Sequence, residues 1–183
     1  MRLLKTSRLI LRPWLEKDKE PFLHMNQDNK VLEFLAGPMS QEQVNDFMEY
    51  QNQQLKDRQY MLWAAELQET GELIGFIGLN YFDKPAHFSP AVEIGWRLGS
   101  QYWGLGYATE GALASLEYGF NPLGLDEIVA FTVPDNLRSR NVMEKIGMVH
   151  DEEGSFAHPR LDPNHKLSQH VLYRVNALDK CRK

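Results

Sequence analysis

The chain has almost no cysteine: Cys181 is the only one in 183 residues. An internal disulfide is therefore excluded, and the polar tail around Cys181 is a poor setting for a reactive thiol. Long apolar runs are also missing. None approaches the roughly 18 residues that cross a bilayer, and the opening Met-Arg-Leu-Leu-Lys-Thr-Ser lacks the apolar stretch of a secretory leader. A cytoplasmic protein without membrane contact is expected. Nor is there an excess of positive charge. Lys and Arg number 20 against 25 Asp and Glu, a formal net charge of -5, which argues against nucleic acid as a partner and suits a cationic small molecule or peptide. The six histidines, His24, His87, His150, His158, His165 and His170, do not show the i, i+4 pairing with a carboxylate of helical zinc sites, so no metal is expected. Repeats and low-complexity linkers are absent. With 43% hydrophobic residues the chain can bury one core, and residues 1–183 read as a single domain.

What is present centres on Val92 to Glu110. Val92-Glu93-Ile94-Gly95-Trp96-Arg97-Leu98 reads as a strand. A glycine turn follows, Gln101-Tyr102-Trp103-Gly104-Leu105-Gly106-Tyr107, and then a run of helix formers from Ala108 to Glu117. Strand, glycine turn and helix aim unpaired backbone N–H groups, and the positive end of the helix dipole, at an anion. Gly104 and Gly106 permit positive φ and close approach of a diphosphate. The pattern is not a Walker loop, because Tyr107 follows Gly106 where Lys is required. It is a poor dinucleotide fingerprint too, since Thr109 stands where the third Gly would be.

A second unit follows. Glu127 to Val133 alternates as a strand and is stopped by Pro134. Asp135 or Asn136 then caps a helix from Leu137 to Ile146 that Gly147 ends. Elsewhere, Arg8-Leu-Ile-Leu-Arg-Pro13 reads as a strand and Glu16 to Pro21 opens a helical stretch. Ser40-Gln-Glu-Gln43 is a capping box. Met61 to Leu67 and Leu73 to Phe82 form a hairpin, a short strand runs from Met148 to Asp151, and Gln169 to Val175 forms the last strand. Between these two lies an irregular loop, residues 154–167, long enough to suggest a functional role. This order implies an α+β fold with helices on both faces of the sheet.

Gln101-x-x-Gly104-x-Gly106 followed by Asn136-x-x-Ser139-x-x-Val142-x-x-Lys145-x-Gly147-Met148 resembles the GCN5-related N-acetyltransferases. With Arg8-Leu-x-Leu-Arg12-Pro13 it is most similar to the branch of the ribosomal-protein N-terminal (alanine or serine) acetyltransferases. The resemblance implies a mixed, mostly antiparallel sheet in which the strands ending at Leu98 and Val133 splay apart around the pantetheine arm of acetyl-CoA. It assigns the diphosphate to backbone N–H groups from Gln101 through Tyr107 and the oxyanion to a backbone N–H among Trp96, Arg97 and Leu98. Asn136 contacts the arm or its loop, or is an N-cap, or both.

The resemblance implies acetyl transfer to a primary amine by direct attack in a ternary complex. Glu93 is the candidate proton acceptor, and the face of its strand is not decided by sequence. Many family members carry a tyrosine proton donor where this chain has Met143. Ser139, one turn earlier on the same helical face, is the candidate hydrogen-bond donor to the leaving sulfur; water is the alternative. The acceptor is expected to be a protein N-terminal amine of the ribosomal-protein type. The alternatives are a small-molecule amine (polyamine, antibiotic or amino-acid-like) or a non-catalytic coenzyme A sensor. His158 and His165 stand in the late loop that would border the acceptor. The expected state is a monomer or homodimer.

Overall fold

The computed structural model describes residues 3–177; Cys181 lies outside the described residues. Eight strands form one sheet: β1 (Leu4–Lys5), β2 (Leu9–Arg12), β3 (Leu62–Leu67), β4 (Leu73–Phe82), β5 (Ala91–Leu98), β6 (Glu127–Thr132), β7 (Val149–Ala157) and β8 (Gln169–Asn176). Their order is β1-β2-β3-β4-β5-β6-β8-β7. Every neighbouring pair is antiparallel except β5 and β6, which are parallel and meet at one register position, Glu93 opposite Val129. The expected mixed, mostly antiparallel sheet with a diverging strand pair is the observed one.

Five α-helices complete the fold: α1 (Lys19–Met25), α2 (Asn29–Leu32), α3 (Gln41–Arg58), α4 (Tyr107–Phe120) and α5 (Leu137–Lys145). Ser40 starts α3 by the reciprocal bonds of a capping box: Gln43 N donates to Ser40 Oγ (3.2 Å) and Ser40 N to Gln43 Oε1 (2.8 Å). On one face of the sheet, α1 and α3 bring Phe22 and Phe47 against Phe76 of β4, with ring centroids 5.3 to 6.1 Å apart. On the other face α4 crosses β4, β5 and β6, where Ile77, Leu79, Ile94, Leu116 and Ile128 are fully or almost fully buried. A Cβ added at Gly111 would stand 2.5 Å from Ile77 Cδ1. This glycine lets α4 lie flat on the sheet and so sets the height of the glycine turn that precedes it.

Two expectations need correction. The short strand at Met148 to Asp151 is a nine-residue one, Val149–Ala157, so the late loop covers residues 158–168. Sequence hid this because the register with β8 shifts between Asp151 and Phe156, which interrupts the alternation that marks a strand. The N-terminal strand is also shorter than Arg8–Pro13, and it is preceded by β1, too brief to leave a pattern.

Replacing Gly111 by Val is expected to cost about 1–3 kcal/mol, as overpacking does in a dense core. Chemical denaturation of the variant against the wild type measures it directly.

Candidate active site

β5 is the axis of the site, and its two sets of groups leave it at right angles. Gly99 N donates to Ile74 O (3.0 Å), and Leu98 is paired with Gly75. Antiparallel alternation then turns the N–H groups of Gly95 and Arg97 toward β4 and those of Trp96 and Leu98 toward β6. Leu98 O, on that same edge, accepts from the indole Nε1 of Trp103 (2.9 Å). Beyond Glu93 the pairing with β6 has stopped, so Trp96 and Leu98 present their N–H groups to the gap between diverging strands. Arg97, expected to offer a backbone N–H there, does not: its N–H faces β4.

Perpendicular to the sheet, Glu93, Gly95 and Arg97 share the face that carries Asn80 and Phe76, on the side of α1 and α3. This resolves the parity that sequence left open. Glu93 is half-buried, and Asn80 Nδ2 donates to its Oε2 (3.2 Å). Burial pushes its carboxyl up to about 7, while the Asn80 bond and the positive charge of Arg160 pull the other way. The direction of this shift follows from the mass of protein around the carboxyl rather than from its residual surface. A carboxyl that titrates near neutrality, on the strand that borders the gap, is suited to take a proton from an ammonium group.

The glycine turn has the geometry of an anion cradle. Ser100–Tyr102 makes a 3-10 turn in which Tyr102 N donates to Gly99 O (2.9 Å) and Trp103 N to Ser100 O (3.3 Å). Those two N–H groups are spent, which narrows the expected set. The first helical bond of α4 runs from Glu110 N to Gly106 O (3.0 Å), leaving Gly104 through Thr109 as the donors of the unpaired first turn. Gly104 (φ 76°) and Gly106 (φ 85°) are both left-handed. A Cβ at Gly104 would meet nothing within 4 Å: the space over the turn is open. Gln101 folds its amide back toward Gly99, 2.9 Å from where a Cβ would stand.

A clamp from the turn between β1 and β2 holds this glycine turn. Glu110 in the first turn of α4 accepts from Thr6 Oγ1 (2.6 Å), Ser7 Oγ (2.9 Å), Arg8 N (2.8 Å) and Arg8 Nε (2.6 Å). Arg8 Nη1 donates to Leu105 O (3.0 Å), and its guanidinium lies over the Tyr107 ring. The Leu105 carbonyl is thereby fixed on Arg8. Burial acts to raise the Glu110 carboxyl, but the bonds from Thr6, Arg8 and Ser7 outweigh it and hold the group at about 2. The contribution of this carboxylate is present above its ordinary value and lost as pH falls through about 2. Neither Arg8 nor Glu110 stood out in sequence as a site residue.

Asn136 is the N-cap of α5: its Oδ1 accepts from Ser139 N (3.2 Å), and its Nδ2 donates to Thr132 Oγ1 (3.0 Å). The amide thus ties α5 to the end of β6, and its shaping of the diverging edge is structural. Ser139 is half-buried one turn above the buried Met143. Arg138, beside it, pairs with Glu33 and lies over the Trp103 ring (4.5 Å), joining α5, the glycine turn and the segment after α2.

A cluster of rings that sequence did not assemble borders Glu93. Phe131 is two residues past Val129 on the same face, and packs on Phe82 (5.1 Å), Phe156 (5.4 Å) and His158 (5.8 Å). His158 and His170 sit 4.9 Å apart. Burial first, then the charges of His170 and Arg160, lowers the His158 imidazole to about 4, so it is neutral at pH 7. His165, expected at the same border, instead accepts from Leu167 N within its own loop (3.2 Å). A cavity of about 660 Å³ lined by His24, Asp28, Gly75, Gln101 and Tyr102 touches the edge of the glycine turn but does not reach Glu93. No helix among the described residues is long and apolar enough to cross a membrane.

A parallel strand pair opening beside a glycine turn, with unpaired N–H groups on its edge and a carboxyl raised to about 7 on its face, is an arrangement suited to an acyl-group transferase that holds an anionic carrier. Residues 8–149 match the model of the acetyltransferase (GNAT) domain, and the chain belongs to that family. It is 31% identical over 147 residues to the uncharacterized N-acetyltransferase YnaD of Bacillus subtilis, covering 79% of this chain and 81% of that one. A GNAT-family acetyltransferase from Bacillus anthracis superposes with a TM-score of 0.79 at 26% identity, covering 97% and 99% of the two chains. The ribosomal L7/L12 α-N-protein acetyltransferase RimL, solved with coenzyme A, shares the fold (TM-score 0.77, 18% identity, 96% and 98% covered).

Glu110→Gln is expected to weaken acetyl-CoA binding about tenfold, a loss of about 1.4 kcal/mol of loop order, with the far-UV circular dichroism unchanged. Gly104→Val, which adds a branched side chain at positive φ inside the cradle, is expected to weaken it further. Calorimetry with acetyl-CoA measures both.

Proposed function

We propose that this protein is an N-acetyltransferase that moves the acetyl group of acetyl-CoA to a primary amine by direct attack in a ternary complex. The observation that carries this reading is Glu93: it is the last point at which β5 and β6 pair, and burial holds its carboxyl near 7. The residues around the gap fit acetyl-CoA, because Gly104 leaves open space beside the unpaired N–H groups that precede and open α4. When bound, that molecule supplies an activated acetyl thioester.

The chain's own groups account for the remaining steps. N–H groups from Gly104 to Thr109, with the positive end of α4, bind the diphosphate. The N–H of Trp96 or Leu98, fixed on the free edge of β5, stabilises charge that develops on the acetyl oxygen. Glu93, perpendicular to that edge, takes the ammonium proton directly or through one water. Ser139, at the start of α5, donates a hydrogen bond to the departing sulfur; solvent completes its protonation. Arg138, lying over the Trp103 ring, links the start of α5 to the glycine turn at the mouth of the gap. The acceptor in this reading is a protein N-terminal α-amine. Its support is the likeness of the Arg8–Pro13, Gln101–Gly106 and Asn136–Met148 motifs to the ribosomal-protein branch.

Thiol release from acetyl-CoA, followed against pH with peptide acceptors, tests the reading. The log of kcat/KM is expected to fall below about pH 7, and Glu93→Gln to lower kcat at least 100-fold. An unchanged acid limb in that variant assigns the proton acceptor elsewhere. Stability gives a second readout. A carboxyl raised in the folded state binds protons more tightly there, so its stabilising contribution is complete below its ordinary value and lost as pH rises through about 7. Glu93→Gln is therefore expected to melt a few °C above the wild type at pH 8 and alongside it near pH 4.5.

A further inference from the structure

Arg8, Arg12, Arg138 and Arg174 each pair with a carboxylate. Arg97 does not pair with one among the described residues. Its Nη1 donates to Asn26 Oδ1 (2.5 Å) and lies 3.6 Å from Met39 Sδ, and its guanidinium sits 5.5 Å from the Phe76 ring centre. Asn26 is wholly buried and fixed by donating to Phe22 O (2.7 Å), so it supplies a dipole but no charge. Asp28, in the turn between α1 and α2, is engaged by Ser100 Oγ and Lys30 N. Burial, unopposed by any counter-charge, pulls the Arg97 guanidinium down to about 10. Arg97 is half-buried; a cation even partly withdrawn from water without an anion beside it is costly, and a fold retains one where something else neutralises it.

The remaining donors of this side chain, Nε and Nη2, form the edge of the guanidinium that matches the two oxygens of a carboxylate. Arg97 shares its face with Glu93 and lies four residues along the strand, about 13 Å by Cα. Gly95 between them is half-exposed. A Cβ there would have only Leu62 Cδ2 (3.6 Å) and Glu93 Oε1 (3.8 Å) nearby, so this stretch of the strand is a floor without side chains.

We propose that Arg97 anchors a carboxylate carried by the acceptor, so that the acceptor is an amine bearing an acidic group several bonds away, lying across Gly95 with its amine at Glu93. This rests on the reading of that face as the acceptor's. The carboxylate is that of an acidic side chain close to a peptide N-terminus or that of a free amino-acid-like amine, and both present the same chemistry to Arg97.

Matched acceptor pairs test it: N-terminal peptides with Glu or Gln at the second or third residue, and free ω-amino acids with their amides. Thiol release gives kcat and KM. Saturation-transfer NMR with the coenzyme A complex gives binding without turnover. The wild type is expected to favour the acid of at least one pair tenfold or more, the responsive pair identifying the source. Arg97→Gln, which keeps a donor for Asn26, is expected to bring that ratio to near one through KM. Arg97→Lys is expected to retain part of it and decides the matter if the glutamine variant does not fold. The proposal is overturned if acid and amide bind equally, if the preference survives both substitutions, or if KM for acetyl-CoA rises by the same factor as that for the acceptor. Acid-selective binding that Arg97→Gln removes, without thiol release from any acceptor, leaves this inference standing and overturns the acetyl-transfer reading instead.

Discussion

Everything in this fold that bears on chemistry depends on the failure of β5 and β6 to stay paired. Among the described residues the two strands are the only parallel neighbours in an eight-stranded sheet, and they meet at Glu93 and Val129 alone. Past that point two central strands each expose an edge, which in an ordinary sheet is an invitation to unwanted pairing. Here the opening is braced from three sides: α4 crosses beneath both strands, the Phe131 cluster packs on the face above β6, and Arg138 links α5 to the glycine turn. The unpaired edge is thereby kept inside the molecule's own frame.

The geometry of a β-strand then separates two tasks that direct acyl transfer must keep apart. Backbone N–H groups lie in the plane of the sheet and side chains stand perpendicular to it. In the proposed reaction, β5 would hold one reactant edge-on through Trp96 and Leu98 while Glu93 meets another from above. Neither reactant has to cross the path of the other, and one rigid element fixes their relative position. A helix offers no such division, because its backbone donors are consumed internally.

Much of this was legible in the chain itself. Ser40 and Gln43 announced α3, Gly104 and Gly106 announced the left-handed turn, and the strand containing Glu93 was marked by its β-branched and aromatic residues. What sequence could not supply was direction. Period-two alternation separates Glu93 from Ile94 without saying which side faces α1, and only the pairing of Asn80 with Glu93 decides it. The same limit hid Arg97, whose side chain and N–H leave the strand on courses that the register alone sets. Phe82, Phe131 and Phe156 come from three separate strands, and a cluster of that kind has no local signature. The extended β7 was masked by its irregular pairing with β8.

The attachment of Arg8 to Glu110 has a consequence for how the molecule assembles. These residues are separated by 102 positions, and the turn they hold lies at the far end of that interval, just before Glu110. Local propensity can start α4 early, but it cannot orient the Leu105 carbonyl, which waits for β2 to join the sheet. Contacts of such separation form after the loop entropy of the intervening chain has been overcome. A folding intermediate with its helices in place would therefore still lack a competent cradle, and the competence of that turn is a property of the finished sheet rather than of its local sequence.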